Sequence, residues 1–124
     1  MNGFKRFDGG IIKIRGDRKK ATDWYCKHFG LKVGWDSPEA GMTVLSYPSG
    51  FAMTLESMGP DEKLESESNT RFCFETADLH EAHTYLVANG IKTSSIYTNI
   101  AGVPTFDFYD LEGTKLSAVE ARHS

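Results

Sequence analysis

The stretch Asp17-Arg18-Lys19-Lys20-Ala21-Thr22-Asp23-Trp24-Tyr25-Cys26-Lys27-His28-Phe29-Gly30-Leu31-Lys32 has a counterpart later in the chain. There, Asp78 is followed by Ala82, Leu86 and then Gly90-Ile91-Lys92. The first Asp lies 13 residues before its glycine, the second 12, and the two glycines are 60 apart. Both segments predict helices. An Asp at the N-cap accepts from the free amides of the first turn. Apolar residues then recur at helical spacing, Ala21, Trp24 and Tyr25 in one segment and Leu79, Ala82 and Leu86 in the other. Gly30 and Gly90 can adopt the left-handed conformation that ends a helix.

Each helix is preceded by a strand pattern. Ile12 and Ile14 alternate with Lys13 and Arg15, and Phe72 and Phe74 alternate with Arg71, Cys73 and Glu75. Period two with one apolar face is a half-buried strand. Three strands are predicted after each helix, at 32–35, 42–47 and 51–56, then at 92–96, 105–109 and 115–120. The chain therefore reads as an α+β protein of two tandem β-α-β-β-β modules. Module one spans about residues 7–56 and module two about 70–121. The Gly-, Pro-, Glu- and Ser-rich stretch 57–69 reads as a tether. Such halves curve their mixed sheets around a cleft, the default site for a small molecule.

Composition narrows the classes without naming a function. With 124 residues, 40% hydrophobic and 25% charged, the chain has the size and make-up of one ordinary globular domain. A formal charge of −3 offers no field for nucleic acid. No run approaches the roughly 18 apolar residues of a membrane span, and the N-terminus lacks the apolar core of a secretory signal. The expectation is a cytoplasmic protein with no nucleic-acid or membrane partner. Cys26 and Cys73 then stay reduced and read as small buried hydrophobes. The basic run Arg18-Lys19-Lys20 reads as a solvated helix face. His80 and His83 are helical neighbours, but with the buried face set by Leu79, Ala82 and Leu86 at least one points to solvent.

Two passages resemble the vicinal oxygen chelate superfamily, which includes glyoxalase I, extradiol dioxygenases, and bleomycin- and fosfomycin-resistance proteins. The segment 21–33 is similar to that family's first-helix pattern, and Phe106-Asp107-Phe108-Tyr109-Asp110-Leu111-Glu112-Gly113-Thr114-Lys115-Leu116 resembles its final hairpin. The resemblance implies four cleft positions, in the first and last strands of each half, that supply His, Gln or Glu to a divalent metal. That metal acts as a Lewis acid on vicinal substrate oxygens. Carried over residue by residue, the positions fall on Gly9 or Gly10, on Thr54 (or Glu56 if the register slips by two), on Arg71 and on Ser117. None of Gly, Thr, Arg and Ser makes a metal site, so the expectation is no metal and no cofactor.

Strand parity points Ile11, Lys13, Ala52, Thr54, Glu56, Arg71, Cys73, Glu75, Ser117 and Val119 into the cleft. Arg71, Ser117, Thr54 and Cys73 are the candidate ligand contacts, with Trp35, Tyr47, Phe106 and Phe108 as aromatic surfaces for stacking. Glu56 and Glu75 are candidate general bases. The resulting reading is a metal-independent binder of an organic, anionic or aromatic ligand in the inter-module cleft. The alternative is a glyoxalase-like lyase or isomerase, or a dioxygenase-related enzyme, with non-standard residues. A homodimer is expected, since family members of this length pair and a cyclic dimer is the commonest assembly.

Overall fold

The computed structural model describes residues 3–5, 7–50, 52–64 and 70–121. Phe51, His123 and the tether residues 65–69 lie outside the described residues. Ten elements follow one another: β1 (Gly10–Ile14), α1 (Arg18–Phe29), β2 (Lys32–Ser37), β3 (Met42–Ser46), β4 (Ala52–Ser57), β5 (Cys73–Thr76), α2 (Leu79–Ala88), β6 (Tyr97–Thr98), β7 (Pro104–Tyr109) and β8 (Lys115–Glu120). The chain divides into two compact units, Met1–Leu64 and Glu65–Ser124.

Each unit is one β-α-β-β-β module carrying a four-stranded mixed sheet. In the first unit the strand order is β1-β4-β3-β2, and in the second β5-β8-β7-β6. The first strand of each module runs parallel to the last, and the remaining neighbours are antiparallel. The two topologies are identical, so the sequence repeat is a repeat of fold.

Both helices begin as the sequence predicts. The Asp17 carboxylate accepts from the amides of Lys19 and Lys20, at 2.9 and 3.2 Å, and Asp78 accepts from the Glu81 amide at 3.0 Å. Gly30 closes α1 at φ 68°, its amide donating to the Cys26 carbonyl. In α2 the cap is Asn89, and Gly90 turns the chain at φ 73° while Ile91 N–H donates back to the Leu86 carbonyl.

In the first unit Ile12, Ile14, Ala21, Tyr25, Leu31, Leu45, Met53 and Leu55 are buried between sheet and helix. In the second, Leu79 and Leu86 of α2 are buried with Phe106, Phe108, Leu116 and Ala118. The residues alternate along each strand because one sheet face is covered by a helix. Each buried Leu, Ile, Met or Phe contributes roughly 1.5–3 kcal/mol.

Two local expectations are corrected. The predicted strand 92–96 is not continuous: only a bridge from Thr93 to Phe108 forms there, and β6 lies further on. The Ser94 hydroxyl accepts from the Asp107 amide and donates to the Ser95 carbonyl, so a side chain replaces a rung of the ladder. Arg18 is also not on a solvated face. It is partly buried, with Nε donating to Thr43 Oγ1 at 3.0 Å and Nη1 to Ser57 Oγ at 2.6 Å, and so ties α1 to the sheet beneath it.

Candidate functional site

The helix-free face of each sheet follows from the register. In the first unit, Ile11, Thr54, Val44 and Trp35 form one row across β1, β4, β3 and β2. Lys13, Glu56, Met42 and Ser37 form the next. A bulge lets Trp35 take this place: Val33 pairs with Leu45 and Trp35 with Val44, leaving Gly34 unpaired between them. Ile11 and Trp35 are exposed. Lys13 Nζ contacts Glu56 Oε1 at 2.5 Å and Glu62 Oε2 at 2.9 Å. Glu62 also accepts from the Gly59 amide. That amide bond and the Lys13 contact hold the Glu62 carboxyl below its ordinary pKa, and the carboxylate contacts hold Lys13 above its own.

In the second unit, Cys73, Ser117 and Asp107 lie side by side across β5, β8 and β7. Arg71, two residues before Cys73, donates from Nε to Ser117 Oγ at 2.5 Å. Ser117 in turn donates to Asp107 Oδ1 at 2.7 Å, and the Tyr97 hydroxyl donates to the same oxygen at 3.0 Å. Lys115 Nζ lies 3.8 Å from the other carboxylate oxygen, and Arg71 Nε 3.9 Å from Oδ1. Ser117 is 2% exposed although it faces away from the helix. A buried hydroxyl needs partners, and here it has a cation on one side and a carboxylate on the other. Burial and the Asp107 hydrogen bond push the Tyr97 phenol up. Partial desolvation by its neighbours pushes up the Cys73 thiol, opposed by Arg71 and reinforced by Asp107.

The expected site residues divide by location. Thr54 and Glu56 lie together on the first helix-free face, and Arg71, Cys73, Glu75 and Ser117 on the second. Trp35 shares the first face. Two aromatic expectations are corrected. Phe106 and Phe108 are fully buried against α2, Phe106 meeting the His83 ring edge-on at 4.9 Å, so neither can stack on a ligand. Tyr47 donates its hydroxyl to the Phe29 carbonyl at 2.6 Å and so secures the end of α1. Cys73, expected buried, is exposed on the helix-free face, while Cys26 is half-buried. His83 accepts no metal-like company: its Nε2 lies 2.9 Å from the Ser94 carbonyl, and His80 is exposed.

Sequence reasoning missed Asp107, Tyr97, Lys115 and Glu62. Asp107 was signalled by its place between Phe106 and Phe108, since alternation sends it to the opposite face. Its meeting with Ser117 depends on the register, and Tyr97 is carried in by the irregular segment before β6.

The donor chemistry at the four metal-associated positions does not fit a divalent metal. Gly10 is in register with Met53 and so belongs to the helix side, which leaves Gly9, two residues before Ile11, with no side chain to offer. Thr54 and Ser117 are hydroxyls, the latter committed at both its donor and acceptor sides. Arg71 is a permanent cation. Among the described residues, no group of three or more His, Cys, Asp or Glu side chains is placed to hold a metal ion. Nor is any described helix long and apolar enough to cross a membrane.

Residues 11–117 match the model of the Glyoxalase/Bleomycin resistance protein/Dioxygenase superfamily. The chain belongs to this superfamily. Solved structures agree in fold. A lactoylglutathione lyase from Agrobacterium tumefaciens has TM-score 0.72 at 16% identity, covering 97% of this chain and 96% of its own. A fosfomycin resistance protein, FosX, from Listeria monocytogenes, solved as an E126Q mutant with Mn(II) and 1S,2S-dihydroxypropylphosphonic acid, has TM-score 0.73 at 13% identity over 94% of this chain and 90% of its own. An integron cassette protein from the mobile metagenome of Halifax Harbour sewage outfall has TM-score 0.75 at 13% identity, over 94% and 100%. No curated protein matches the sequence.

Proposed function

We propose that this superfamily member is a metal-independent small-molecule-binding protein whose ligand is organic and carries an anionic or aromatic group. One observation carries the reading. A position that the family resemblance gives to a metal ligand holds Arg71, and its guanidinium is anchored on Ser117 at 2.5 Å. Where a metal would attract electron-rich oxygens, this face offers a fixed organic cation. Tyr97, exposed on the same helix-free face and tied to Asp107, adds aromatic surface for the body of a ligand.

The enzymatic alternative needs a general base. Glu56 is committed to Lys13, and Glu75 is exposed opposite Val119 with no polar cross-strand neighbour in its register. Binding without turnover is the better-supported reading. A homodimer and a cytoplasmic setting complete the proposal.

Native mass spectrometry of protein purified without chelator tests these points together. The expected spectrum shows a dimer, no stoichiometric metal, and organic adducts released on activation. Zinc, nickel, manganese or iron at one ion per chain overturns the metal-free reading, and a monomer at micromolar concentration overturns the dimer.

A further inference from the structure

The helix-free face of the second unit has a charge arrangement more specific than a general affinity for anions. We propose that Arg71, set by Ser117 and Asp107 and flanked by Tyr97, forms a receptor for an aryl carboxylate, an inference that rests on the ligand-binding reading above and names its ligand class.

Three features point to this chemistry. The first is orientation. The single Nε–H of Arg71 is spent on Ser117 Oγ, whose own proton goes to Asp107. Recognition of a ligand therefore falls to the terminal guanidinium nitrogens, whose planar fork matches the two oxygens of a carboxylate. The Arg71 side chain is 47% exposed while the Asp107 side chain is 14% exposed, so the cation is the partner presented outward.

The second feature is charge. Around Asp107 stand two cations, Arg71 and Lys115. Asp107 neutralises one of them, and Glu75 stands on the far side of the Cys73–Ser117 row, so the excess positive charge is confined to the Arg71 and Lys115 side, which suits a ligand with one negative charge. The third is the Tyr97 ring. Its hydroxyl is held by Asp107 and its pairing with Thr105 keeps it on this face, partly exposed. A fixed aromatic surface next to a carboxylate receptor favours a ring on the acid, since offset or edge contacts between rings add to simple burial.

The test uses sodium benzoate, with benzamide as its neutral isostere and sodium acetate as the ringless acid. Binding to the full chain is followed by calorimetry and by the ¹⁵N resonance of the Arg71 side chain. Saturable benzoate binding is expected, at least about tenfold tighter than benzamide or acetate, since a charge-assisted bidentate contact supports a difference of that size. Arg71→Met is expected to remove the preference for benzoate over benzamide. Ser117→Ala is expected to weaken benzoate and to abolish the slowly exchanging Arg71 Nε–H signal while the rest of the spectrum stays dispersed. Lys19→Met, on the exposed surface of α1, should change nothing. Benzoate binding that is absent, that equals benzamide, or that survives Arg71→Met overturns the receptor. Binding equal to acetate overturns the aryl part. Stoichiometric metal in the native spectrum would defeat the metal-free reading alone, and dependence of benzoate binding on Arg71 would still decide this one.

Discussion

At the scale of single residues, aromatic side chains in this chain have opposite fates that composition does not distinguish. Phe108 is fully buried and Trp35 is 52% exposed. Phe108→Ala is expected to cost about 3–5 kcal/mol, because the removed ring leaves a cavity as well as losing its transfer energy. Trp35→Ala, on an open face, is expected within about 0.5 kcal/mol of wild type. Urea unfolding of both variants checks the contrast. Tyr97 gives a pH signature. Burial and the bond to Asp107 raise its pKa in the folded state. Its contribution to stability is therefore complete below the unfolded value of about 10 and is lost as pH rises through the higher folded value. Alkaline unfolding monitored at 295 nm should show a smaller high-pH loss for Tyr97→Phe than for wild type. An equal loss would mean that Tyr97 does not hold Asp107.

At the scale of elements, the helix ends are where local sequence speaks most directly. Asp17 and Asp78 each satisfy first-turn amides, so replacing either by Ala is expected to cost about 1 kcal/mol. Gly30 separates backbone strain from packing. A Cβ there would touch nothing within 4 Å, yet its φ is +68°. Gly30→Ala is thus expected to destabilise by roughly 1 kcal/mol through conformation alone, measured by thermal unfolding. The strands were less uniform. Those of the first module and β7 and β8 could be read from period-two patterns. The segment 92–96 could not, because Ser94 uses its hydroxyl as a backbone surrogate, a choice that leaves no hydrophobic trace. Arg18 also escaped: a basic run looks solvated until the sheet beneath it supplies Thr43 and Ser57.

For the whole molecule, the metal question can be put without knowing the ligand. Since the positions at issue hold Thr54, Arg71 and Ser117, prolonged EDTA treatment is expected to leave the melting temperature unchanged. A metal bound only by the folded state would stabilise it by mass action, so a drop of several degrees on chelation would reveal a resident ion. The weakly acidic composition gave no hint of the Arg71 and Lys115 cations gathered around Asp107, because a net charge does not report where charges stand.

The doubled β-α-β-β-β plan, both helix starts and the helix-facing side of β1, β4, β5 and β8 were legible in the sequence. These depend on short-range rules: a cap two or three residues from its amides, apolar spacing of 3.6 or 2. Tertiary structure decided which residues meet. Arg71 and Ser117 are 46 apart in the chain, and Asp107 joins them only because β7 and β8 pair in one register rather than another. Since a slip of one residue would send Asp107 to the opposite face, no local pattern could have assembled the receptor that the folded sheet holds.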